Sequence, residues 1–276
     1  MENGPVKSVI RVESKYNNSR IVQYFSIYSE MNKIDVKFEV DWREQFKMLK
    51  LKFPVNIKSY KAVSEIPYGN IERKVTGEEE PCQRWIDISG INPETQTKYG
   101  LSIINDSKYS YDINNKEISL TILRSPIYAH HDPYEPEENK NYNYIDQGIQ
   151  KFNYTIFPHE NSWEDAGTIK KAAELNQKPE VIKETYHSGD LPQNNSYLSV
   201  NKDNIIVKVL KKAEDNEDLI LRCYESAGRE IEAEIELPEW GRLIKTKFGP
   251  SEIKTFKIPK NQEKSVSEVN LLEFEE

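Results

Sequence analysis

The chain has 276 residues, a formal charge of −8, 37% hydrophobic and 30% charged residues, and 16 tyrosines. That length allows one large all-β domain or a domain with a smaller companion, and the composition is far from the aromatic-poor signature of disorder. An acidic balance, with no stripe of Lys and Arg interleaved with aromatics, excludes nucleic acid and anionic membrane as expected partners.

The opening "MENGPVKSVIRVESKY" lacks a basic n-region and an apolar h-region, and no stretch approaches eighteen consecutive apolar residues. A cytoplasmic location is therefore expected, with Cys82 and Cys223 reduced and the sequons at Asn17, Asn105, Asn153 and Asn194 as chance matches. After a turn at "YNNS", Ile34, Val36, Phe38 and Val40 alternate with Asp35, Lys37 and Glu39, which predicts a half-buried strand. Trp42 continues that strand into the core, beside Asp41. Leu49, Leu51 and Phe53 alternate with Lys50 and Lys52 in the next strand. The conformational needs of Pro67 and Gly69 account for the turn in "EIPYGNIER", which Glu65, Tyr68 and Glu72 surround.

Further turns at "SEMNK", "INNKE" and "AEDNEDL" punctuate the chain, so many short strands and frequent turns predict a β-sandwich. One helix is expected in "NSWEDAGTIKKAAELN", N-capped by Ser162, with Ala166, Ile169 and Ala173 on one face. The polar segment 176–198 separates a long first domain, 1–190, from a compact strand-rich domain, 198–276. There Ile231, Ala233, Ile235 and Leu237 alternate with four glutamates, which form a solvated face. The tail "NQEKSVSEVNLLEFEE" is expected to be an edge strand or a frayed end.

The best metal candidate is "AHHDP", because His130, His131 and Asp132 are all zinc-competent side chains. In extended chain only His130 and Asp132 would share a face, so a third ligand would have to come from His159 or His187. A polar loop or rim is the preferred reading. No Gly-x-Ser-x-Gly elbow and no Gly-rich phosphate loop is present, and 46 acids allow no glycosidase pair to be nominated from sequence.

Four segments carry more pattern than a sandwich requires: "DWRE" at 41–44, "EIPYGNIER" at 65–73, "RWIDISG" at 84–90 and "ILRSP" at 122–126. In this order they resemble the β-rich C-terminal region of the family 38 glycoside hydrolases, the retaining zinc-dependent α-mannosidases. "GPVKSVIRVESKY", "IDVKFEVDWREQFKMLKLKFPV", "YGLSIINDSKYSYDI", "IDQGIQKFNYTIFPH" and "LKKAEDNEDLILRCYESAG" extend the resemblance over almost the whole chain. Ser110 replaces a glycine common in the family, and Gln150 replaces a histidine found in many members.

The resemblance implies an all-β fold: a large antiparallel super-sandwich of the galactose-mutarotase-like type, followed by a small β-sandwich domain. It implies no catalytic residues and no metal in this chain, because the family's zinc ligands and catalytic carboxylates lie in an N-terminal domain. That missing domain is the expected partner, with zinc bound in the full-length parent. Mannose-containing glycans are the expected ligands, and an uncovered interface is expected to drive self-association. The loop after "ILRSP" is expected to lend a rim to the cleft through Arg124, Tyr128, His131, Asp132, Tyr144 and Asp146, as substrate or interdomain contacts. Tyr142 belongs to the same loop. Two rival readings are a stand-alone carbohydrate-binding module and a fragment with weak sugar chemistry of its own.

Overall fold

The computed structural model describes residues 2–129 and 135–275, so His130, His131 and Asp132 lie outside the described residues. Two compact units emerge, one of residues 1–66 and 71–180, the other of residues 67–70 and 181–276. Each is built from antiparallel strands.

In the first unit, in chain order, the strands are β1 (Glu2–Asn3), β2 (Lys7–Tyr16), β3 (Ser19–Tyr28), β4 (Ile34–Trp42), β5 (Met48–Pro54), β6 (Lys58–Ile66), β7 (Gly69–Arg73), β8 (Glu80–Pro81), β9 (Trp85–Ile91), β10 (Lys98–Asn105), β11 (Ser110–Asn114), β12 (Glu117–Arg124) and β13 (Gly148–Glu160). Nine form one sheet in the order β1-β2-β3-β4-β13-β10-β9-β6-β7, and four form a second, β5-β12-β11-β8. The alternation read from sequence fixes which face is buried. Val36, Phe38 and Val40 point inward from β4, and the register sets Phe38 opposite Phe152 of β13, ring centroids 4.8 Å apart. Ile118 and Leu120 of the smaller sheet meet them in one apolar core, where Phe53 lies edge-on to Tyr154. Burial of each such side chain contributes about 1.5–3 kcal/mol relative to exposure.

The helix starts later than the sequence suggests. It is α1 (Thr168–Asn176), and the residue before it, Gly167, has φ 68°. Ser162 does cap, but it caps the preceding turn: its Oγ accepts from the Asp165 N–H at 3.2 Å and donates to Asp165 Oδ2 at 2.9 Å. The left-handed Gly167 then resets the chain, so the buried face is Thr168, Ile169 and Ala172 rather than the Ala166, Ile169 and Ala173 stripe. Thr168 Oγ1 lies 2.9 Å from Ser102 Oγ, which donates to the buried carboxylate of Asp87. His159 Nε2 lies 2.7 Å from the same Asp87 oxygen, and its Nδ1 faces the Glu160 carbonyl at 3.3 Å. His159 is thus buried in the polar joint that fastens α1 to β9, β10 and β13. The joint requires Gly100, where a Cβ would stand 2.5 Å from His159 Cε1 and 2.6 Å from Ser89 Oγ.

In the second unit β14 (Ser199–Val200), β17 (Ile231–Leu237) and β18 (Arg242–Phe248) make one sheet. The other holds β15 (Ile205–Lys212), β16 (Leu219–Glu225), β19 (Ile253–Ile258) and β20 (Ser267–Val269). Ala233, Ile235 and Leu237 meet Leu221, Cys223 and Phe256 in its core. The glutamates of β17 face outward, where Glu234 pairs with Lys245 across the strands. The tail supplies β20 as an edge strand. Tyr68, with φ 56°, occupies the left-handed position of the "PYGN" turn that sequence reasoning assigned to the demands of Pro67 and Gly69, and its ring lies edge-on to Tyr224.

Candidate functional site

Four strand ends of the first unit converge where "DWREQFKM", "ILRSP" and "YNYIDQG" meet. The end of β4 pairs with the start of β13, Trp42 opposite Gly148, and the start of β5 pairs with the end of β12, Met48 opposite Arg124. A register shift between Thr121 and Leu123 rephases β12, so that Ile122 and Leu123 are both buried. Such a bulge re-aims the following side chains. Arg124 consequently faces solvent while Ser125 is fully buried.

Ser125 is the hub of this end. Its Oγ accepts from the Trp42 indole Nε1–H at 3.2 Å and the Lys47 N–H at 3.3 Å, and donates to the Lys47 carbonyl at 3.1 Å. The Ser125 carbonyl accepts from the Phe46 N–H at 2.7 Å. These bonds hold Phe46 at φ 52°, a conformation that is rare for a bulky residue and has to be imposed by its surroundings. The Phe46 ring is 60% exposed and meets Tyr144 edge-on, centroids 5.2 Å apart at 85°.

The predicted residues fall into place around this hub. The Arg124 N–H donates to Asp146 Oδ2 at 3.0 Å, so the acid fixes the backbone at the strand end while the guanidinium faces outward. Tyr144 bridges to Ile127, and the Tyr128 N–H donates to the Asn143 carbonyl at 2.7 Å, leaving the Tyr128 side chain 68% exposed. Tyr142 accepts from the Glu137 N–H through its hydroxyl. Gln150 joins the loop to the sheet: its Nε2 donates to the Asp146 carbonyl at 3.1 Å and its Oε1 accepts from Lys108 Nζ at 3.2 Å. Burial pushes the Lys108 ammonium below its ordinary range, against the opposing charges of Asp146 and Asp106. On the inner side Gln147 Nε2 donates to the Glu44 carbonyl, and the Glu44 carboxylate accepts from Asn17, the Asn18 N–H and Ser19.

Arg124, Tyr128, Tyr144 and Asp146 are therefore gathered at one end of the sandwich, whereas His131 and Asp132 fall outside the described residues. Sequence reasoning missed Phe46 and Ser125. Phe46 had a readable signal, a lone aromatic between Gln45 and Lys47 in the break between two alternating strands; Ser125 had none.

The assembly offers exposed aromatic faces, a guanidinium and a carboxylate on a rigid frame, which is equipment for contact. Among the described residues no three His, Cys, Asp or Glu side chains could hold a metal ion. No helix among them is long and apolar enough to cross a membrane. Both cysteines are buried, which pushes their thiols up to about 12.

The fold class is thus a large antiparallel super-sandwich followed by a small β-sandwich, with polar and aromatic side chains gathered at one end of the first. The Glycosyl hydrolases family 38 C-terminal domain matches residues 1–134, and the Glycosyl hydrolases family 38 C-terminal beta sandwich domain matches residues 204–276. The chain belongs to the C-terminal region of the family 38 α-mannosidases.

Among curated relatives, "Alpha-mannosidase G" of Dictyostelium discoideum is 31% identical over 252 residues, covering 83% of this chain and 21% of that protein. Human "Alpha-mannosidase 2C1" is 28% identical over 231 residues, covering 80% and 20%. The chain thus spans about a fifth of the length of these relatives. The crystal structure of an α-mannosidase from Enterococcus faecalis V583 superposes with a TM-score of 0.69 at 17% identity, covering 87% of this chain and 29% of that one, which shows the shared fold.

Proposed function

We propose that this chain is a non-catalytic region of an α-mannosidase, packing on the catalytic part of the same polypeptide and bordering its mannoside cleft with the Phe46, Arg124, Tyr128, Tyr144 and Asp146 rim. The observation that carries the reading is the convergence of four strand ends on the buried Ser125 hub, which holds exposed rings and a guanidinium in fixed positions. Aromatic faces suit the apolar face of a pyranose, and arginine suits vicinal hydroxyls or a carboxylate of the catalytic part. The likeness to proteins named α-mannosidases, of which the chain spans about a fifth, supports it further. Zinc, where the parent enzyme uses it, would be held outside the described residues, whose donor sets do not fit it. No step of hydrolysis is assigned to this chain.

The test is an assay of the purified chain on an aryl α-mannoside with added zinc. No turnover is expected, and activity that survives repurification would sink the proposal. In an intact α-mannosidase carrying this region, Tyr128→Ala is expected to raise KM with little change in kcat, as loss of a contact made equally in ground and transition states does. Unchanged KM and kcat would remove the rim from the cleft.

A second reading, a free-standing carbohydrate module, is favoured by the exposure of Phe46 and Tyr128. It requires the isolated chain to bind manno-oligosaccharides, read as chemical-shift changes at these two rings.

A further inference from the structure

Strand β2 lies next to the end of the nine-stranded sheet. Along one side it pairs with β3 over its whole length; along the other, β1 reaches only Ser8 and Val9. From Ile10 to Tyr16 that second side meets no strand among the described residues. Tyr16 and Ser19 flank a two-residue turn and so form a hydrogen-bonded pair. Counting back by twos, Arg11, Glu13 and Lys15 turn their N–H and C=O groups to the open edge. Such an edge is a template for another strand unless something opposes pairing.

The two faces of β2 carry different information. Ile10, Val12 and Tyr16 share the face on which Ile21 and Phe25 join the first core. This face outruns its cover: Ile10 is 50% exposed, Val12 40% and, opposite Ser8, Ile27 43%. The other face carries Arg11, Glu13 and Lys15. Glu13 binds Arg11 and, through two hydrogen bonds of 2.8 and 2.9 Å, Arg20. Hydrogen bonds from Arg20, then from Arg11, hold its carboxyl at about 2, so it is ionised under ordinary conditions.

We propose that β2 pairs with the β2 of a second copy of this chain, antiparallel about a two-fold axis, continuing the large sheet from one copy into the next. The charges select the register. An axis at Glu13 would set Glu13 against Glu13 and Arg11 against Lys15, and an axis at Arg11 would set Arg11 against Arg11; like charges directly opposite are destabilising. An axis at Val12 sets Arg11 opposite the partner's Glu13 twice and Val12 opposite its own copy. An axis at Ser14 sets Glu13 opposite the partner's Lys15 twice and Val12 opposite the partner's Tyr16. In both allowed registers the exposed apolar stripe becomes continuous across the interface. Edge pairing of this length falls short of the roughly 1,200 Å² of stable interfaces, so the association depends on concentration. The pairing is independent of the α-mannosidase reading.

The test combines sedimentation with disulfide trapping on the full chain. Weight-average mass is expected to rise from one chain toward two with concentration, and the substitution that removes the two symmetric charge pairs, Arg11→Glu for the axis at Val12 or Lys15→Glu for the axis at Ser14, to weaken association about tenfold. Val12→Cys or Ser14→Cys, at the axis of an allowed register, is expected to form an intermolecular disulfide under mild oxidation, since non-hydrogen-bonded pairs bring Cα atoms to about 4.5 Å. Glu13→Cys is expected to cross-link far more slowly, and the buried native thiols keep the background low. Ser14 is exposed, so its variant should fold as the parent does. A single-chain mass at every concentration would overturn the proposal, as would cross-linking through Glu13→Cys at least as fast as through Val12→Cys and Ser14→Cys.

Discussion

Glu225, at the end of β16, offers the most quantitative test of how the second unit is held together. Its carboxylate is fully buried, and four donors converge on it: Asn204 Nδ2 and the Ala227 N–H at 2.7 Å, the Ser251 N–H at 2.9 Å and the Arg229 N–H at 3.0 Å. Glu225→Gln replaces one acceptor oxygen with an amide that can only donate, so donors face donors on that side. The amide can turn either way, giving up Asn204 and Ala227 on one oxygen or Arg229 and Ser251 on the other, so two of the four bonds are lost. At about 1.5 kcal/mol each for bonds to a charged acceptor, this predicts about 3 kcal/mol of destabilisation. With a urea slope near 1.5 kcal/mol/M, the midpoint of the second unit should fall by about 2 M. Trp240 is the tryptophan of residues 181–276, so fluorotryptophan NMR of its resonance reads this unit separately from Trp42, Trp85 and Trp163.

The pH dependence supplies an independent check. Burial raises the Glu225 carboxyl, but the donors from Ser251, Ala227, Asn204 and Arg229 outweigh it and hold the group below the ordinary carboxylate range. The stabilisation is therefore present above the unfolded value of about 4.3 and is lost as pH falls through the lower folded value. The gap between parent and Glu225→Gln should accordingly close on acidification below about pH 4.3. A midpoint shift below about 0.5 M, or a gap unchanged at acid pH, would refute the reasoning.

Two further substitutions probe the first unit. Ser125→Ala strands the buried Trp42 indole N–H and is expected to cost about 2 kcal/mol, with the Phe46 and Trp42 ring resonances shifting together in NMR; unshifted resonances would mean that Ser125 does not organise the rim. Gly100→Ala places a methyl against His159 and Ser89 and is expected to cost about 1–3 kcal/mol by overpacking, with faster hydrogen exchange in α1 than in β4. Uniform exchange would argue that the buried joint does not fasten the helix.

The strands were legible before any tertiary information because their apolar residues alternate with period two, and a sheet with one buried face admits no other register. Phe38 opposite Phe152 and the outward glutamates of β17 follow from that period. The turn-rich spacing and the order of the "DWRE", "RWIDISG" and "ILRSP" segments were enough to reach the fold and the family. The helix start was misplaced because Ser162 and Asp165 form a capping pattern that a single turn satisfies as well as a helix; the left-handed Gly167 has no signature distinguishing it from any other glycine.

The rim was half legible: Arg124, Tyr128, Tyr144 and Asp146 stand in one polar loop, and local composition points to them. Phe46 and Ser125 join it only through pairing between segments about eighty residues apart, and the four donors around Glu225 come from three separate turns. Periodic burial is a local property written along the chain. The satisfaction of a buried polar atom is a long-range one, decided by which strand ends the completed sheets bring together, and only the tertiary structure settles it.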